Sequence, residues 1–250
     1  MDNIYEENSL LAQYLLFHYG DDALNMPYSF GPLESLNFPK KVLHENLNMG
    51  SLYKKKSALD IGCAVGRTSF ELSLYFEKVT SIDFSSNFIR TANQLKKGIT
   101  VPYSILIEGE NYLNALATHP KLSNPKRISF QQGDATNLPQ NLGSFDFVIA
   151  ANLICRLSKP ELFLKRLPTL VNPGGTLLIS TPFTWLEDYT PKKRWLSKNQ
   201  NNGFSVIKEQ LQSFFTLTQT KDISFIIREH SRKFQWSVAQ CSVWKRFETQ

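Results

Sequence analysis

The chain has 250 residues, of which 42% are hydrophobic and 20% charged, with 12% aromatic and a formal net charge of +6. That balance belongs to a soluble globular protein with enough apolar residues for one large core, and it excludes an intrinsically disordered chain. No apolar run approaches the roughly 18 residues of a membrane helix. The acidic start Met1-Asp2-Asn3-Ile4-Tyr5-Glu6-Glu7 differs from the basic leader of a secreted or imported protein, so the expected location is cytoplasmic, with no membrane partner.

Cys63, Cys155 and Cys241 are odd in number, far apart and without a C-x-x-C pair, which argues against a disulfide framework or a metal site. Charge is uneven along the chain. From Thr190 onward 11 Lys and Arg face 4 Asp and Glu, whereas the first 189 residues carry 17 against 18. A basic end fits either nucleic acid or a solvated surface.

In chain order, residues 1–50 read as a helical cap. Leu10, Leu11, Tyr14, Leu15 and His18 share one helical face, a Gly/Pro/Asn-rich loop runs from Gly20 to Pro39, and a short helix carries Val42, Leu43 and Leu47. From residue 57 the pattern becomes alternating strands and helices. Strands are expected at 57–61, 78–83, 127–131, 145–150 and 175–180, and helices at 66–76, from a Ser85 cap to about Lys97, and at 159–170. Pro173-Gly174-Gly175 supplies a stop before the last of these strands. After a helix near 204–213, two β-rich runs flank the turn at 230–233 and suggest a terminal antiparallel pair. The whole reads as one α/β domain: a core at 57–180 with an insert at 98–126, then a substrate-side segment at 181–250.

Ligands of parallel sheets bind beyond the carboxyl ends of the strands. There the first strand ends in Asp60-Ile61-Gly62-Cys63-Ala64-Val65-Gly66-Arg67. The G-x-x-x-G spacing is shorter than a dinucleotide fingerprint, and no Gly-Lys-Ser/Thr marks a P-loop. An acidic Asp60 beside the turn would repel a pyrophosphate but accept bonds from a cationic amino group. Asp83 ends the next strand, 21 residues after Gly62, at the place from which a carboxylate reaches ribose hydroxyls. Asp134, in Gly133-Asp134-Ala135, follows the third strand and could accept from an exocyclic amine.

These residues, with Phe145-Asp146-Phe147-Val148-Ile149 and Pro173-Gly174-Gly175, resemble in order and spacing the class I methyltransferases that use S-adenosylmethionine. The resemblance implies a Rossmann-like fold with a mostly parallel seven-stranded sheet, helices on both faces and a C-terminal antiparallel pair. It also implies S-adenosylmethionine as cofactor, released as S-adenosylhomocysteine. The cofactor set it implies is Asp60, Gly62, Cys63, Ala64 and Gly66 around the methionine end, with Arg67 anchoring the loop; Asp83, Phe84 and Ser85 at the ribose; Asp134 and Ala135 at the adenine; and Ala151. Ala64 stands where the family has its middle glycine, a departure expected to narrow the loop.

A base-methylating enzyme would often carry Asn/Asp-Pro-Pro-Tyr/Phe after the fourth strand, where this chain has Ala150-Ala151-Asn152-Leu153. Instead, residues 14–20, 62–67 and 150–157 and Thr184-Trp185-Leu186-Glu187 look like the methyltransferase domain of ovothiol synthases. That family methylates a side-chain ring nitrogen of 5-thiohistidine. The resemblance implies a small amino-acid substrate, or its 5-selenohistidine analogue, and a separate iron-dependent sulfoxide synthase as functional partner. Asn152 is then expected to orient the ring, and His18 to hydrogen-bond it or take its proton, unless His18 is simply a packed helix residue. Tyr14, Phe17 and Tyr19 are expected around the substrate, with Tyr14 and Tyr19 equally readable as core residues; Arg156 is expected on the substrate carboxylate or as a surface helix charge, and Phe183 and Trp185 as walls. Rival readings are another amino-acid or thiol metabolite, a nucleic-acid substrate, or a cofactor-binding protein without chemistry.

Overall fold

The computed structural model describes residues 4–47, 56–198 and 200–248. Five parallel strands form the centre: β1 (Ser57–Ile61), β2 (Lys78–Asp83), β5 (Ile128–Gln132), β6 (Phe145–Ala151) and β7 (Val171–Thr181). The long strands β8 (Phe215–His230) and β9 (Lys233–Arg246) add an antiparallel pair, giving the order β5-β2-β1-β6-β7-β9-β8. Chain direction across the sheet reverses between β1 and β6, so the crevice at their carboxyl ends is the expected ligand site.

Alternation along the strands divides the core in two. Ala58, Phe147, Ile149 and Leu178 face one side with α1 (Asn8–Tyr19), α3 (Phe38–His44), α4 (Arg67–Leu72) and α5 (Ser86–Lys96). Leu59, Ile61, Val148, Ala150, Leu177 and Ile179 face the other with α6 (Pro160–Leu170) and α7 (Gly203–Leu211). A central sheet buried on both faces explains why these strands are apolar throughout.

Several elements depart from the sequence reading. The Gly20–Pro39 loop holds the single turn α2 (Asp22–Asn25), and Leu47 lies beyond the end of α3. The expected helix over 66–76 stops at Leu72: the Ser73 hydroxyl donates to the Phe70 carbonyl at 2.6 Å and accepts from the Asn124 amide at 2.8 Å, while Arg127 captures the Ser73 carbonyl. β7 begins at Val171, directly after α6, and carries Pro173-Gly174-Gly175 inside it as an irregularity in the register with β6. The insert is a separate hairpin, β3 (Val101–Glu108) with β4 (Asn111–Ala117), whose Val101, Tyr103 and Ile105 join the core beneath α1. α1 itself has no single apolar face. Leu15 and Leu16 are buried in the core while Tyr14, Phe17 and His18 turn to a cavity, because the helix is packed on several sides.

Gly66 caps α4 at φ +90°, and a Cβ there would stand 2.6 Å from the Phe130 ring. Left-handed strain and overpacking therefore act together. Gly66→Ala should lose about 2–4 kcal/mol in denaturant unfolding.

Candidate active site

The turn leaving β1 is built from three left-handed residues, Gly62 (φ +76°), Ala64 (φ +47°) and Gly66 (φ +90°). The amides of Gly62 and Cys63 both donate to the Ile82 carbonyl, at 2.8 and 3.1 Å. The Ala64 amide donates to Asp83 Oδ2 at 2.8 Å, and the Ser85 amide to Asp83 Oδ1 at 2.9 Å. Ala64 thus keeps the conformation a glycine would take, at a strain cost of about 1 kcal/mol, and Asp83 holds it there.

Beyond the ends of β1, β2, β5 and β6 lies a cavity of about 400 Å³. Most of the residues singled out from sequence meet in it: Asp60, Gly62, Cys63, Ala64, Asp83, Phe84, Asp134, Ala135, Ala151, Asn152 and Arg156, with Tyr14, Phe17 and His18 from α1. Asn152 has φ +52°; its amide donates to the Ser180 carbonyl at 2.8 Å, and its Oδ1 accepts from the Ser180 hydroxyl at 3.0 Å. The side chain is therefore fixed from β7. Asp134 Oδ1 accepts from the amide and hydroxyl of Thr136, at 2.7 and 2.8 Å.

Other expected site residues serve the frame instead. The Tyr19 hydroxyl donates to the Val65 carbonyl at 2.7 Å, beneath the loop. Arg67 pairs with Glu71 at 2.8 Å and also donates to the His18 carbonyl. Ser85 caps α5, accepting from the Phe88 amide and donating to the Tyr5 carbonyl. Phe183 would meet a Cβ at Gly203, and the Trp185 indole donates to Ser197 at 3.1 Å, so both pack the α7 side and neither lines the cavity. Walls absent from the sequence reading come from Tyr5, Phe38, Phe88, Tyr189, Phe225 and Ile227. Of these, only the alternation of Phe225 and Ile227 along a β-rich run hinted at a shared face.

Electrostatics set the cavity apart. Burial raises the Asp60 carboxyl to about 7, against a bond from the Ser69 hydroxyl at 2.6 Å that favours its ionised form. Burial likewise raises Asp83 to about 6 despite its backbone donors. His18 moves the other way: burial, then the Arg67 charge, depress its imidazole to about 3. Its Nδ1 faces the Arg67 amide at 3.4 Å, which assigns the proton of the neutral ring to Nε2.

Residues 59–179 match the family described as "Methyltransferase domain". The chain is similar to norajmaline N-methyltransferase of Rauvolfia serpentina, 25% identical over 145 residues that cover 56% of this chain and 42% of that protein. It is also similar to tRNA U34 carboxymethyltransferase of Campylobacter concisus (strain 13826), 27% identical over 207 residues, covering 78% of this chain and 60% of that protein. The match thus spans about half the length of these curated relatives. Among solved structures, magnesium protoporphyrin IX methyltransferase from Synechocystis PCC 6803, with bound S-adenosylhomocysteine, superimposes at a TM-score of 0.60, with 14% identity and coverage of 97% of this chain and 96% of that one. The fold is the Rossmann-like methyltransferase fold. Residues 59–179 carry a methyltransferase domain with S-adenosylmethionine as its cofactor.

The raised carboxyl of Asp60 has a consequence for stability. A folded-state value of about 7 against an ordinary 3.8 means that the stability Asp60 contributes is present at low pH and is lost as pH rises through 7. Asp60→Asn removes that loss. In urea unfolding of the cofactor-free protein, the variant should gain on the parent as pH rises from 4 to 8, by on the order of 2 kcal/mol.

Proposed function

We propose that the protein is an S-adenosylmethionine-dependent N-methyltransferase acting on a side-chain ring nitrogen of 5-thiohistidine or 5-selenohistidine. The cavity fits the cofactor by the chemistry of its walls. Asp60 and Asp83 face it, and Arg156 is the one permanent cation among the described residues lining it. Such walls suit a ligand that carries both a sulfonium and an ammonium group, and binding one would draw both carboxyls into their ionised forms. Asp60 would take the ammonium end at the Gly62–Gly66 turn, Asp83 the ribose and Asp134 the adenine amine. When bound, the cofactor supplies an electrophilic methyl group.

The observation that carries the acceptor reading is the placement of His18 in the cavity wall, with its Nδ1 facing the Arg67 amide at 3.4 Å. An imidazole depressed to about 3 is a poor proton acceptor. Asp60 and Asp83 are tied to Ser69 and to the Ala64 and Ser85 amides. Such a wall suits an acceptor whose lone pair is already free near neutral pH. A ring nitrogen with an ordinary value near 6.5 meets that need, whereas an alkyl amine or a phenol, at about 10, requires a base. His18 then donates from Nε2. A thiolate or selenolate is a natural partner for that donor, and holding it would keep the softer nucleophile off the methyl group. Asn152, fixed by Ser180, orients the ring. Alignment and water exclusion supply most of the rate. A separate iron-dependent sulfoxide synthase would furnish the substrate.

Mass spectrometry after incubation with S-adenosylmethionine and, separately, histidine, 5-thiohistidine, 5-selenohistidine and tRNA tests this reading. A ring-nitrogen methyl on the thio or seleno compound, with histidine inert, supports it; methyl found only on RNA, or on none while cofactor binds, discards it. Within the site, Asp83→Ala should raise the cofactor KM more than it lowers kcat. Asn152→Ala should mainly lower kcat, by about 100-fold.

A further inference from the structure

We infer that Arg156, Tyr189 and Tyr5 form a subsite for the carboxylate of the methyl acceptor, so that the substrate is a free α-amino acid and neither an amine nor a residue within a peptide. The inference rests on the proposed function for the acceptor ring, and it adds two tyrosines that the sequence did not single out.

The guanidinium of Arg156 is fixed on two sides. Its carbon lies 4.6 Å from the centre of the Tyr189 ring, and its NH1 donates to the Thr184 carbonyl at 3.0 Å. It lines the cavity, yet no acidic side chain pairs with it among the described residues. Three of the four acids lining the cavity have donors of their own, Ser69 for Asp60, the Ala64 and Ser85 amides for Asp83, and Thr136 for Asp134; the fourth, Asp188, lies next to Tyr189 in the chain and forms no ion pair with Arg156. A guanidinium held flat on a ring, half-buried and outside any ion pair is preorganised for an incoming anion.

Tyrosine rings gather beside it. The Tyr5 ring lies 5.8 Å from that of Tyr189 and 6.1 Å from that of Tyr14. One guanidinium balances one negative charge, and its planar fork matches a carboxylate. A phosphate dianion would be left half-neutralised against walls that already hold Asp60 and Asp83.

Tyr5 reaches this point through a latch. The Glu6 carboxylate accepts from the amide and hydroxyl of Ser86, each at 2.8 Å, and from the Asn87 amide at 3.2 Å; the Ser85 hydroxyl donates to the Tyr5 carbonyl at 2.9 Å. The latch sits on the first turn of α5, immediately after Asp83 and Phe84. Tyr5 is thereby positioned in the cavity wall from its cofactor side.

The test compares kcat/KM for 5-thiohistidine and for its decarboxylated amine, in the parent, Arg156→Met and Tyr5→Phe, with S-adenosylhomocysteine affinity measured by calorimetry on each. The parent should prefer the acid by roughly 100-fold. Arg156→Met should lose most of that preference, and Tyr5→Phe, which keeps the ring and its packing, about 5- to 10-fold of it. Cofactor-product affinity should stay within about twofold, and KM for the amine should not move. Equal use of acid and amine by the parent overturns the subsite. So does a collapse of S-adenosylhomocysteine affinity in Arg156→Met with the acid preference intact, since the guanidinium would then serve the cofactor's own carboxylate. If neither thio compound is methylated, the proposed acceptor fails and the subsite is judged by binding alone. L-histidine binding to the S-adenosylhomocysteine-loaded protein where histamine does not, and losing that binding in Arg156→Met, upholds it; no difference between the two ligands overturns it.

Discussion

The hydrogen bond from the Ala64 amide to Asp83 ties together everything the site needs. It joins the turn after β1 to the end of β2, and with the two bonds from Gly62 and Cys63 to Ile82 it fixes how far the turn stands from the neighbouring strand. The same carboxylate accepts from Ser85, which caps α5 and carries the Tyr5 carbonyl. One acidic side chain therefore sets the turn, the start of a helix and the docking of the N-terminal segment. Ala64, in a conformation that favours glycine, is tolerated because this bond and the packing around it over-determine the turn.

Burial gives the cavity its chemical character. The same desolvation raises the carboxyls of Asp60 and Asp83 and depresses the imidazole of His18. In the free protein it favours neutral groups on all three. A cationic ligand reverses that preference for the two acids but gives His18 no reason to charge. On the proposed reading the site holds acids that respond to a cation and a histidine that stays a donor, a division of roles that follows from position in the fold and not from residue type.

Much of this was legible in the sequence, and the residues that were not have a common cause. Asp60, Asp83 and Asp134 stand at strand ends, and the strand–turn–helix pattern alone locates a strand end. The terminal β pair was readable because its turn at His230 and Lys233 is short and polar. α1 was misread as having one apolar face because local periodicity cannot show that the β3–β4 hairpin and β8 pack around it. The hairpin itself was missed: Val101, Tyr103 and Ile105 of β3 alternate with exposed Pro102 and Ser104, but β4 exposes Tyr112 and Leu116 and offers no matching alternation to pair with it. Phe183 and Trp185 were placed near the substrate by their position after β7, but the chain turns at Phe183 (φ +51°) and sends both toward α7.

The walls supplied from afar explain why a widely shared sheet can have a private acceptor site. β1, β2 and β5 present acids and a left-handed turn, features tied to the cofactor side. The opposite wall is assembled from Tyr5 and α1 at one end of the chain, Tyr189 after β7, and Phe225 and Ile227 of β8. β8 supports α1 at this wall through contacts such as Phe17 against Phe225. In the proposed site, substrate choice is carried by segments distant in sequence from the cofactor turn: Tyr5 and α1 are tied to that side through Ser85, Ser86 and Val65, whereas Phe225 and Ile227 of β8 approach from the far edge of the sheet.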